Sequence, residues 1–223
     1  MWLVTKRIII VTGHYGCGKT NLAVNLARKL NVEGRHVALC DLDIVNPYFR
    51  SADFARPLNS EGIETILPPF ANTNLDVPTL TARVAAAVND DSLTLVLDVG
   101  GDDAGAAALG QYSAAIARHG YDMLYLVNAY RFLTQTPEEA LENLRDIEYA
   151  SHLTATAIVN SSNLAGDTTA GAIDATAGFA EDVSRLAGLP LYTVAERSLA
   201  GEISAAPETV FPVDRLVKLV WER

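Results

Sequence analysis

Eight consecutive residues, Gly13-His14-Tyr15-Gly16-Cys17-Gly18-Lys19-Thr20, combine the residue types needed to hold a polyphosphate. They match G-x-x-x-x-G-K-[ST] at every fixed position. Glycines at 13, 16 and 18 let the backbone bend tightly and turn its N–H groups inward around an oxygen-rich anion. A helix that begins at the lysine adds the partial positive charge of its N-terminus. In that arrangement Lys19 reaches the β- and γ-phosphates and the Thr20 hydroxyl ligates Mg²⁺. The pattern marks a nucleotide-phosphate site.

A second group of candidates is acidic. Asp98 ends the apolar run Leu93-Thr94-Leu95-Val96-Leu97, and Asp41 and Asp43 follow Val37-Ala38-Leu39-Cys40. Ligands of open α/β sheets gather at the carboxyl ends of strands. A lone strand-end aspartate is commonly a turn former or a helix cap, but beside a phosphate loop Asp98 is placed to hold Mg²⁺ through water. Gly100-Gly101 allow a backbone N–H to approach a terminal phosphate, with plain turn chemistry as the alternative. Asp102 and Asp103 would repel a triphosphate and are assigned to capping the next helix. Cys17 is expected to contribute mainly its backbone N–H, with redox sensitivity, from a thiol pKa lowered at a helix N-terminus, as the minor alternative.

The elements that position these groups follow from periodicity. Ile8-Ile9-Ile10-Val11 reads as a buried strand, and Leu22, Leu26 and Leu30 stack on one face of the helix after the loop. Further strands are expected at 35–40, 63–67, 93–98, 122–128, 154–160 and, last, 191–194. Helices are expected at 78–88, 104–118, 137–149, 170–186 and 213–221, with a short helical piece around 51–58. Thr136 is the expected N-cap of the helix that opens Pro137-Glu138-Glu139. Alternating strands and helices predict a three-layer α/β/α fold on a mostly parallel sheet, the P-loop NTPase fold. Nothing in 1–223 reads as a linker or a repeat, so one domain is expected.

Composition narrows the partners. A net charge of −10 and a pI near 4.8 oppose nucleic acid and anionic membrane surfaces. Two cysteines, Cys17 and Cys40, without C-x-x-C spacing give neither a disulfide framework nor a zinc site. The opening residues run directly into the first strand, so a signal peptide is not expected, and the protein is expected to be cytoplasmic. Leu216, Val217, Val220 and Trp221 form an apolar stripe that reads as a docked final helix, not a membrane one.

The loop, the helix Asn21-Leu22-Ala23-Val24-Asn25-Leu26-Ala27 and the later Asp41-Leu42-Asp43 together resemble the MinD/ParA family of SIMIBI-class P-loop NTPases, which includes the CooC-type ATPases. That family carries G-K-G-G-x-G-K-[ST], a helix ending N-L-A, a second strand ending D-x-D, and its Mg²⁺ acid in D-x-P-[AP]. The resemblance implies ATP and Mg²⁺ as ligands, with Gly13 to Asn21, Gly101 and Asn160 contacting the nucleotide. It implies that Lys19 binds phosphate, Asp43 orients the attacking water, Asp41 supports the metal shell and Asp98 holds Mg²⁺. Asn160 matches the asparagine that reads adenine, an ordinary strand-end cap being the alternative. Asn160-Ser161-Ser162-Asn163 lacks the lysine and aspartate of the guanine motif [NT]-K-x-D, which favours ATP. His14 stands where the family has a loop lysine that reaches across a dimer, Tyr15 replaces a glycine, and Gly100 replaces the proline after the Mg²⁺ acid. A homodimer is therefore left open. Tyr48-Phe49-Arg50 falls at the family's switch I and is a candidate partner patch, or it packs under the loop.

The first functional expectation is an ATPase that switches conformation for a protein partner. The alternatives are an ATP-dependent small-molecule kinase or ligase, as in the dethiobiotin-synthetase relatives, and a nucleotide-binding regulator that does not hydrolyse. Arg50 and Arg131 are the basic residues the kinase reading would need near the γ-phosphate.

Overall fold

The computed structural model describes residues 4–42, 55–67, 77–101, 103–132 and 134–216. Asp43, Asp102, Tyr48-Phe49-Arg50 and the stretch from Val217 lie outside these residues. Strand β1 (Ile8–Gly13) leads through the phosphate loop into helix α1 (Lys19–Val32) and then β2 (Val37–Asp41). There follow α2 (Ala55–Ser60), β3 (Glu64–Ile66), α3 (Val77–Asn89), β4 (Thr94–Asp98), α4 (Asp103–Gly110) and α5 (Ser113–His119). The second half contributes β5 (Tyr121–Val127), α6 (Pro137–Ser151), β6 (Ala157–Asn160), α7 (Ala170–Asp174), α8 (Ala177–Ala187), β7 (Leu191–Glu196) and β8 (Val210–Val213).

Among the described residues eight strands join one sheet in the order β3-β2-β4-β1-β5-β6-β7-β8, and every pairing is parallel. Because β1 sits between β4 and β5, the loop that follows it opens in the middle of the carboxyl edge of the sheet, where such folds bind ligands. Parallel strands are covered on both faces, which explains why β1, β2 and β4 are buried at every position. On one face Ile8, Ile10, Cys40, Leu97, Met123 and Tyr125 pack with Val84, Leu109, Leu144 and Val183 from the helices. On the other, Ile9, Val11, Leu39, Val96 and Leu124 meet Leu22, Leu26 and Leu30 of α1. Each of those three leucines contributes roughly 1.5–3 kcal/mol by leaving water, so the helix that starts at Lys19 is firmly anchored by its apolar stripe. Helix α6 starts as the sequence predicts. Thr136 Oγ1 accepts the Glu139 N–H at 3.2 Å, and the Glu139 carboxylate accepts the Thr136 N–H at 3.1 Å.

Three expectations are corrected. The helix expected over 104–118 is two helices, broken at 111–112 after Gly110. That expected over 170–186 breaks between α7 and α8, where the Thr176 hydroxyl turns back to donate to the Ile173 carbonyl at 2.7 Å. The expected last strand is followed by another: Val210-Phe211-Pro212-Val213 forms β8 at the sheet edge, although a helix was expected to start at Val213. β-Branched and aromatic residues favour the strand, and an edge position tolerates Pro212, which has no N–H to donate. The rest of that expected helix lies outside the described residues.

Candidate functional site

Local backbone chemistry builds the phosphate loop. Gly16 (φ 75°) and Gly18 (φ 94°) adopt left-handed conformations that L-residues rarely take, and Gly18 caps α1 in that state. Lys19, only 6% exposed, lies in the concavity and donates from Nζ to the His14 carbonyl at 3.3 Å. Burial, and secondarily the Lys19 charge, hold His14 below its ordinary pKa, so its imidazole is neutral at pH 7. His14 therefore does not replace the charge of the family's extra lysine.

Thr20 and Asp98 come together as the sequence implies, with Thr20 Oγ1 donating to Asp98 Oδ2 at 2.7 Å. Asp98 is 1% exposed, and its parallel register partner on β2 is Asp41, which is also buried. Residues paired in register on parallel strands share a face, so the two carboxylates lie side by side near the start of α1. This donor set is all oxygen, which suits the hard cation Mg²⁺. Among the described residues there is no group of three His, Cys, Asp or Glu able to cage a metal. Mg²⁺ is commonly held by one or two carboxylates plus nucleotide oxygens and water, so the residues present fit it.

Gly101 is packed directly on the phosphate loop. A Cβ placed there would lie 1.9 Å from the Gly13 carbonyl oxygen and 2.9 Å from His14 Cα. The glycine thus serves backbone-to-backbone approach, beyond turn chemistry. The Gly101 carbonyl is also within 3.5 Å of the Asn143 amide of α6. The Tyr125 hydroxyl lies 2.9 Å from Asn143 Oδ1 and 2.7 Å from the Ala140 carbonyl. Burial pushes the Tyr125 pKa far up, so it remains a neutral donor.

The Cys17 thiol is not the activated group that the minor alternative required. It is 1% exposed, and burial raises its thiol pKa against the opposing pull of Lys19. The thiol is protonated and packed in the core, which removes the redox reading.

A cavity opens beside the loop, lined among others by Gly18, Lys19, Arg131, Asn163, Ala195 and Arg215. Asn160 is absent from its lining. That side chain is buried, donates to Thr176 Oγ1 at 3.1 Å and accepts the Ser162 N–H at 3.1 Å, which ties β6 to the start of α8. Asn163, three residues on, faces the cavity instead. Asn21 also lines the cavity, and its Oδ1 accepts the Leu216 N–H at 2.9 Å. The neighbouring Asn25 exchanges two 2.9 Å hydrogen bonds with the Asp214 backbone, clamping the chain after β8 to α1. The sequence gives no sign that Glu196 and Arg215, 3.6 Å apart, form part of the cavity wall, because β8 brings them there. Arg131, which periodicity alone leaves unplaced, donates from Nε to the Gly16 carbonyl at 3.0 Å.

Comparison with known proteins agrees with this geometry. Residues 8–186 match the model of the CbiA family, the CobQ/CobB/MinD/ParA nucleotide binding domain. The cytosolic Fe-S cluster assembly factor cfd1 of Emericella nidulans is 28% identical over 96 residues, which is 43% of this chain and 27% of that protein. Among solved structures, the cell division protein FtsY of Thermotoga maritima aligns at TM-score 0.58 and 20% identity, over 96% of this chain and 68% of its own. The GDP complex of the signal recognition particle 54 kDa protein of Aeropyrum pernix aligns at TM-score 0.54 and 18% identity, over 85% of this chain and 42% of its own. The two structures share the fold, and the family match covers most of the sequence. With its phosphate loop seated at the centre of a parallel sheet, this chain belongs to the CobQ/CobB/MinD/ParA family of nucleotide-binding domains.

Proposed function

We propose that the protein is a Mg²⁺-dependent ATPase that acts as a nucleotide-controlled switch for a protein partner. The observation that carries this reading is the contact between Gly101 and the Gly13 carbonyl, which seats the loop after Asp98 directly on the phosphate loop. Lys19 and the inward N–H groups bind phosphate. Thr20 and Asp98, with Asp41 beside them, hold Mg²⁺, which when bound neutralises charge on the phosphate oxygens. The 100–101 turn registers a change at the terminal phosphate because its backbone has no slack against Gly13. Asp43 is assigned to orienting the attacking water by the family resemblance. ATP is favoured over GTP because positions 160–163 lack the guanine motif. The net charge of −10 favours a protein partner over nucleic acid. No helix among the described residues is long and apolar enough to cross a membrane, and two reduced thiols suit the cytoplasm.

The test is Mg²⁺-dependent binding of labelled ATP and GTP to the purified protein and to Lys19→Ala. ATP is expected to bind preferentially, and the variant to lose about tenfold or more in affinity, as a charge-assisted contact requires. Asp43→Ala and Asp98→Ala are expected to abolish ADP release. Absence of turnover in the wild type would leave a non-hydrolysing regulator, unchanged turnover in the variants would remove the roles given to Asp43 and Asp98, and GTP preference would overturn the adenine assignment.

A further inference from the structure

We propose that Arg131 is a nucleotide-phosphate ligand supplied by the same chain, the second cation of a site whose loop carries only one. The inference rests on the nucleotide reading above and adds to it a residue that no loop motif contains. The loop offers Lys19 alone as a fixed charge, since His14 is neutral in its place beside that lysine. Arg131 belongs to the segment after β5, far from the loop in sequence, yet its Nε–H donates to the Gly16 carbonyl at 3.0 Å. Arg131 also lines the cavity that contains Gly18, Lys19 and Thr20. A guanidinium has five N–H donors in a rigid fork, and the bond to Gly16 uses one. Among the described residues no carboxylate pairs with Arg131. The remaining donors therefore point to an anion that arrives from outside, and planar forks suit phosphate oxygens.

The segment that carries Arg131 is fixed in advance. Its N–H donates to the Asn128 carbonyl at 3.1 Å, and Asn128 Oδ1 accepts the Tyr130 N–H at 3.0 Å. The Ala129 N–H donates to Ser162 Oγ at 3.0 Å, and the Tyr130 hydroxyl donates to the Ala172 carbonyl at 2.7 Å. These bonds tie the turn to β6 and α7, so little ordering is needed when the anion binds. The family's second cation is a lysine inside the loop that reaches a partner's phosphates. Here the equivalent charge comes from the edge of the loop and bonds to its own Gly16, an arrangement that needs no second chain.

The experiment measures ATP and inorganic tripolyphosphate binding to wild type, Arg131→Gln, Arg131→Lys and Lys19→Ala across a salt series. Glutamine keeps a donor for the Gly16 carbonyl but has no charge, and lysine keeps the charge but not the fork. Arg131→Gln is expected to lose about tenfold or more in affinity for both ligands. It should also show a flatter salt dependence, with Arg131→Lys recovering part of the loss. Wild-type affinity in Arg131→Gln, with Lys19→Ala impaired, would overturn this proposal and leave the nucleotide reading intact. Loss of ATP binding with tripolyphosphate unaffected would place Arg131 against base or ribose and overturn it as well. Loss of both ligands at an unchanged salt slope would make Arg131 a brace for Gly16 only. Failure of wild type to bind either ligand would overturn both readings.

Discussion

Single residues show how strongly context resets chemistry. Cys17 stands beside a helix N-terminus, a place that lowers thiol pKa, yet burial outweighs the nearby Lys19 and holds the proton on sulphur. Burial does the same to Cys40 on β2, with the charge of Asp41 adding to the effect. The sign of the consequence for stability follows directly. In the unfolded chain a thiol ionises near its ordinary value of about 8.5, whereas the folded values lie higher. The folded protein therefore keeps protons that the unfolded chain releases. The contribution is fully present below about pH 8.5 and is lost as the pH rises above it, by about 1.4 kcal/mol per thiol per pH unit. Urea unfolding at pH 8.5 and 9.5 is expected to show this fall in wild type and a fall smaller by about 1 kcal/mol in Cys40→Ala, the unfolded thiol being already half ionised at the lower pH. Identical falls in the two proteins would show that the thiol is not held neutral by the fold.

At the scale of elements, the site is a meeting of loops at the carboxyl edge of the sheet, and the tightest junction is between those after β1 and β4. Gly101→Ala tests it. The added methyl meets the Gly13 backbone, which cannot rotate away as a side chain would. A cost of about 1–3 kcal/mol is expected from forced overpacking, read as a lower urea midpoint, together with weakened ATP binding because the phosphate loop itself must move. An unchanged midpoint and affinity would mean that the junction is loose. This contact also marks the limit of what the sequence discloses. The phosphate loop, Asp41 and Asp98 are legible because each depends on neighbours in the chain: glycine spacing, a helix start, an apolar run ending in an acid. The mostly parallel sheet and the apolar stripe of α1 follow from alternation and periodicity in the same way, whereas the order of the strands does not. Arg131, Asn143 and the pair Glu196–Arg215 are not legible, since their meaning depends on which strands become neighbours. Asn160 is an intermediate case. Its strand-end position is legible, but the hydroxyl it pairs with, on Thr176, is supplied by a helix break that the apolar pattern across 170–186 conceals.

For the whole molecule, the question is whether so many crossovers behave as one cooperative unit. One sheet spans the described strands, and each of its two faces draws core residues from both halves of the sequence. Leu22 of α1 and Phe211 of β8 share one layer, while Val84 of α3 and Val183 of α8 share the other. The amide clamp from Asn25 to the Asp214 backbone then ties the chain after the last strand to the first helix. We therefore propose a single unfolding transition for the chain, with the nucleotide coupled to all of it. A ligand that binds only the folded state at 100 times its Kd adds about 2.7 kcal/mol. For a chain of 223 residues that corresponds to a rise in Tm of roughly 5–10 °C. Calorimetry with and without Mg²⁺-ATP is expected to show one peak that moves as a unit by that amount, and no movement in Lys19→Ala. Two peaks, only one of them shifted by nucleotide, would mean that the edge strands β7 and β8 fold apart from the phosphate loop. The cavity wall formed by Ala195 and Arg215 would then assemble independently of nucleotide, and the coupling drawn here between the sheet edge and the loop would be wrong.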